Sequence, residues 1–125
     1  MSDGWIGVDL DGTLAYYDGW HGADHIGEPV PAMAERVKAW LAEGREVRIV
    51  TARASEKTKT DRSVPRSVLL IQEWCEEHLG QRLAVTCEKD YGMIELWDDR
   101  AVTVERNTGR VLGAPNGDAF TDPTE

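Results

Sequence analysis

A chain of 125 residues suffices for one domain with a single core, burying roughly 65% of its unfolded surface, and is short for two. Its 14 Lys and Arg against 23 Asp and Glu leave a net charge of −9, which argues against a broad nucleic-acid or anionic-membrane surface and leaves the excess acid available to a cation. Two cysteines outside any zinc spacing fit a reduced cytoplasmic compartment; no stretch approaches the ~18 apolar residues of a membrane span, and no basic-then-apolar leader is expected at the N-terminus.

Residues 4–8 (GWIGV) read as a short buried strand ending at the acidic run "VDLDGT" at 8–13. Residues 15–31, rich in Gly, Pro and aromatics, read as a loop or small flap. A helix is expected over 31–43: Met33, Val37, Trp40 and Leu41 recur on one face, Pro31 suits the first turn and Gly44 the position past the end. Residues 46–51 (EVRIVT) read as a second buried strand, 54–64 as a polar loop, and 65–79 as a helix stopped by Gly80. Strands follow at 83–87 (LAVTC) and 94–97 (IELW), the latter ending in Asp98 and Asp99. Residues 101–112, with "RNTG" between valine pairs, read as a β-hairpin, and 114–125 as a loose tail.

This order predicts one α/β domain over 1–113 with a mostly parallel central sheet. Ligands of such sheets bind beyond the carboxyl ends of the strands. Asp9 and Asp11, Thr51, and Asp98 and Asp99 all fall at such ends and are expected to converge. Four carboxylates at one edge repel by several kcal/mol at an effective dielectric of about 20. A hard dication such as Mg²⁺, which takes oxygen ligands and substrate phosphates, removes the conflict. Alternation points Asp9 and Asp11 the same way, with Leu10 turned from them and Gly12 free to turn the chain tightly. Asp9 is the candidate nucleophile and Asp11 the candidate proton carrier. Thr51, Ala52 and Arg53 are the candidate anion-binding segment, and Lys89 a positive group to brace charge on a phosphoryl group.

These residues resemble the haloacid dehalogenase-like superfamily of phosphotransferases. The likeness rests on four segments in order: "VDLDGTL" at 8–14, "RIVTAR" at 48–53, Lys89 in "TCEKD", and "LWDDRA" at 96–101. The resemblance implies a Rossmann-like three-layer sandwich with a minimal cap. It implies a phosphatase that hydrolyses a phosphomonoester through an aspartyl-phosphate on Asp9. Asp11 would serve as acid and then base, Thr51 would hold the phosphoryl oxygens, and Lys89 would stabilise charge. Mg²⁺ would be held by Asp9, the Asp11 main-chain carbonyl, Asp98 and, directly or through water, Asp99. An acid at position 11 favours phosphatase or phosphomutase chemistry, and the short gaps at 15–31 and 54–64 mark a nearly capless member. The substrate stays open between a phosphorylated small molecule, a nucleotide and a polynucleotide end, as does a homo-oligomer or a partner completing the cap. A non-catalytic Mg²⁺- and phosphate-binding module is the alternative from another class.

Other residues have plainer readings. Lys57 and Lys59 rival Lys89 as the positive group. Arg53 either contacts substrate or pairs with one of the many acids, and Arg100 reads as a surface or ion-pair residue. His21, Asp24 and His25 lie in a Gly-rich stretch with no helix to align a zinc pair. Tyr16, Tyr17 and Trp20 either stack on a substrate ring or anchor the flap. Trp74 and Cys75 fall within a helix and read as core.

Overall fold

The computed structural model describes residues 4–55 and 65–115. Most of the expected polar loop, with Lys57 and Lys59, and most of the expected tail lie outside the described residues. The core is a sheet of four strands: β1 (Trp5–Val8), β2 (Glu46–Val50), β3 (Ala84–Thr86) and β4 (Met93–Trp97), in the order β3-β2-β1-β4. Every pairing in it is parallel. A separate antiparallel hairpin pairs β5 (Thr103–Val104) with β6 (Val111–Gly113), its turn passing through Asn107 and Gly109 at positive φ. The expected α/β Rossmann-like architecture with a C-terminal hairpin is therefore what the chain adopts.

Helix α1 (Pro31–Ala42) starts with Pro31 in its first turn and buries Met33, Ala34 and Val37. Helix α2 (Arg66–Leu79) buries Val68, Ile71, Trp74, Cys75 and Leu79 at helical spacing. Gly80 ends it in the left-handed conformation at φ +90°. Both helices pack on the sheet face formed by Ile6, Val8, Val47 and Ile49. Burial there pushes the Cys75 thiol up to about 12, so this cysteine is core, as expected.

The three layers are unequal, and the connectivity explains why. The steps β1–α1–β2 and β2–α2–β3 run the same way along the sheet, and right-handed crossovers of one direction place their helices on one face. The return from β3 to β4 crosses the other face in residues 87–92, too few for a helix. Among the described residues, side chains cover that face around β1 and β4. The Trp5 indole, almost fully buried, lies beneath the Arg48 guanidinium at 4.5 Å and donates to Asp90 Oδ1 at 2.8 Å. This bond, with those from Gly92 N–H and Arg48, holds the Asp90 carboxyl below its usual range. Beyond this stack, Ile94 and Leu96 of β4 face solvent. Among the described residues no helix is long and apolar enough to cross a membrane.

Candidate functional site

The carboxyl ends of β1, β2 and β4 open into one cavity of about 560 Å³. β1 and β4 are neighbours there, and Asp9 N–H donates to the Trp97 carbonyl at 2.9 Å, so the two acidic segments leave the sheet side by side. Strand order reverses at this point, since β1 leads to β2 on one side while β4 arrives on the other.

Oxygens of Asp9, Asp98 and Asp99 lie within 4.8 Å of one another. Thr13 knits the group: its hydroxyl lies 3.3 Å from Asp9 Oδ2 and 3.1 Å from Asp99 Oδ1, and accepts from Asp99 N–H at 3.0 Å. Asp98 Oδ1 accepts from Arg100 N–H at 2.7 Å. No cationic side chain is paired with any of the three carboxylates among the described residues. The Asp9 carboxyl shows the result. Burial first, then the hydrogen bond with Asp99 and the charges of Asp98 and Asp99, push it up from 3.8 to about 7. Three hard oxygen donors whose charges are uncompensated suit a hard divalent cation.

The turn that brings these groups together depends on Gly12. Its φ is +90°, and a Cβ there would lie 2.6 Å from Asp99 Oδ2. Gly12→Ala is expected to destabilise the protein by about 1–3 kcal/mol and to weaken whatever rise in melting temperature a divalent cation such as Mg²⁺ gives. Thermal melts with and without Mg²⁺ check both; an unchanged Mg²⁺ response means Gly12 does not set the acidic cluster.

Asp11 also lines the cavity, but its carboxylate belongs to a different partnership. Arg53 Nε donates to Asp11 Oδ2 at 2.8 Å and Arg53 Nη2 to Asp11 Oδ1 at 2.9 Å. This two-pronged pair is largely buried, with the arginine side chain only 6% exposed. The same guanidinium donates to the His25 carbonyl at 3.0 Å and stacks on the Trp20 ring at 4.9 Å. Arg53 thus joins the acidic loop to the 15–31 flap. The flap is pinned elsewhere too: Tyr16 N–H donates to Glu28 O at 2.8 Å and Trp74 Nε1 to Gly27 O at 3.0 Å.

Thr51, at the end of β2, is buried beside the cavity, and its hydroxyl accepts from Arg53 N–H at 3.2 Å. Ala52 opens a 3-10 turn over Ala52–Ser55 that aims Arg53 inward. Of the sequence-predicted residues, the cavity therefore collects Asp9, Asp11, Thr51, Ala52, Arg53 and Asp98, with Asp99 in contact through the cluster. Lys89 is not among them. It lies in a separate shallow depression with Asp90 and Tyr91, where the chain has turned back towards the start of β1. The cavity also takes in three residues not proposed as site residues from the sequence, Val50, Cys87 and Arg100. Arg100 directly follows two acids at a strand end, which was the signal for it. Its guanidinium has no partner among the described residues.

The sequence matches no protein-family model and no curated protein. The fold is similar to that of a solved structure described as the conserved protein coded by locus from Bacteroides thetaiotaomicron, with a TM-score of 0.53 and 21% identity over 81% of this chain and 79% of that one.

Proposed function

We propose that this protein is a Mg²⁺-dependent phosphatase that hydrolyses a phosphomonoester through an aspartyl-phosphate on Asp9. The observation that carries the reading is the unneutralised Asp9, Asp98 and Asp99 cluster at the switch point of a parallel sheet, in one cavity with Thr51 and Arg100. The resemblance of the four sequence segments to haloacid dehalogenase-like phosphotransferases supports it.

Asp9, Asp98 and Asp99 would hold the metal, with the Asp11 main-chain carbonyl as the resemblance implies. The chemistry a bound Mg²⁺ supplies is charge, cancelling the clash of carboxylates and countering the phosphoryl oxygens. An Asp9 oxygen attacks phosphorus, the bond from phosphorus to the ester oxygen breaks, and the departing oxygen takes a proton from Asp11. Asp11 then accepts a proton from water, whose oxygen attacks phosphorus and frees Asp9 and inorganic phosphate. Both Asp11 oxygens accept from Arg53, so Arg53 must release one of them for Asp11 to carry a proton. Thr51 offers its hydroxyl to the phosphoryl oxygens.

Among the described residues Arg100, rather than Lys89, is the unpaired cation of the cavity, and we assign it the charge-stabilising role. Arg100→Gln is expected to lower kcat/KM by about 10²-fold, in line with the loss of one donor to a transition-state oxygen. Lys89→Ala has the smaller effect of the two. A larger loss in Lys89→Ala returns the role to the lysine. The reading as a whole is tested by phosphate release from an aryl phosphate with Mg²⁺ and with chelator; turnover that persists in chelator rejects it.

A further inference from the structure

The aromatic side of the cavity carries more information than hydrolysis needs. A volume of about 560 Å³ lies within the roughly 300–1,000 Å³ of pockets that take drug-sized ligands, and a phosphoryl group alone fills little of it. Tyr17 and Trp20 of the flap line this space together with Asp9. Trp20 is 61% exposed, an open indole in a flap that is otherwise tied down. Its ring rests on the Arg53 guanidinium, which is itself fixed by Asp11 and by the His25 carbonyl. The indole is therefore held one guanidinium's width from the Asp11 carboxylate, and little ordering is needed when a ring stacks on it.

We infer that the site takes a nucleoside monophosphate, with the phosphate at Asp9 and the base stacked on Trp20. The inference rests on the phosphatase reading and adds the substrate class. The phosphate would lie at the acidic cluster, and a planar base in the same cavity would supply the stacking partner for the indole. Any of the bases can stack in this way, so the geometry selects a nucleotide without selecting which. The net charge of −9 favours a mononucleotide over a polynucleotide end, whose backbone needs many cations.

The test compares adenosine 5′-monophosphate with ribose 5-phosphate, which leaves through the same kind of primary 5-oxygen but has no base. Wild-type protein is expected to prefer the nucleotide in kcat/KM. Trp20→Ala is expected to cut the nucleotide-to-sugar ratio by about tenfold or more, and Trp20→Phe to keep most of it. Equal kcat/KM for the two substrates, or an unchanged ratio in Trp20→Ala, overturns the inference while leaving the phosphatase reading intact. Calorimetric binding of both compounds to the Asp9→Asn protein with Mg²⁺ makes the same comparison without turnover. Tighter, Trp20-dependent binding of the nucleotide there supports base recognition even if no hydrolysis is seen, and equal binding overturns it.

Discussion

On the proposed reading, Asp9→Asn is expected to all but abolish phosphate release and, in metal-free protein at pH 8, to raise the melting temperature. Both effects come from one arrangement. Asp9 is partly buried beside Asp98 and Asp99, with no cationic side chain paired to the group among the described residues, so its charged form is disfavoured up to about pH 7. At pH 8 that charge is present and uncompensated. Asparagine keeps the shape and an oxygen acceptor for the Thr13 hydroxyl, which lies 3.3 Å from Asp9 Oδ2, and removes the charge. The melting temperature is expected to rise by a few degrees, the scale of about 1 kcal/mol in a domain of this size. Activity is expected to fall on the order of 10⁴-fold or more, because the proposed nucleophile is gone. Addition of Mg²⁺ is expected to stabilise the wild type more than the variant, which keeps Asp98 and Asp99 as donors and still takes up the cation when it is saturating. Stability sacrificed at a working site is a common trade. Turnover that survives the substitution would remove the aspartyl-phosphate from the mechanism.

What the sequence made legible follows from which forces are local. The Pro31 and Gly44 boundaries, the Gly80 stop and the apolar strands ending in acids or threonine are written in neighbouring residues, and α1, α2 and β1–β4 lie within a residue or two of expectation. Convergence of Asp9, Thr51 and Asp98 followed from a rule about parallel sheets. The unequal layers needed the strand order, which no local pattern encodes.

Lys89 shows the same limit. It is close in sequence to Asp98, yet the chain must run back the full height of the sheet before β4 can begin. At roughly 3.3–3.6 Å per residue, the stretch after Cys87 is used up in that return and leaves Lys89 away from the upper edge. The Asp11–Arg53 pair joins residues 42 positions apart, and a surplus of acids offered Arg53 many partners. Only the 3-10 turn after β2 selects Asp11 among them.

The second large effect is a pH dependence that Mg²⁺ erases. Asp9 has its carboxyl raised from 3.8 to about 7 in the folded protein, so between those values the folded state binds more protons than the unfolded chain. Stability then falls as pH rises through that window. The slope for one such group is at most about 1.4 kcal/mol per pH unit, and the remaining contact of Asp9 with water reduces it. Asp90 and Glu105 act in the opposite sense, since their hydrogen-bonded and ion-paired carboxyls are lowered from 3.8 and 4.5. Both titrate below their ordinary values, and the stability they contribute is lost only in more acidic solution. Of the described groups with displaced pKa values, Asp9 is the one that titrates between about pH 5 and 7.5. Metal-free protein is expected to lose several degrees of melting temperature across it, and saturating Mg²⁺ to flatten or invert the trend, because the cation binds the ionised carboxylates and competes with the proton. Melting curves taken in chelator and in Mg²⁺ at half-unit pH steps measure this directly. A metal-free curve that is flat or rises from pH 5 to 7.5 means that the three carboxylates do not confront one another, and the case for a cation at their centre goes with it.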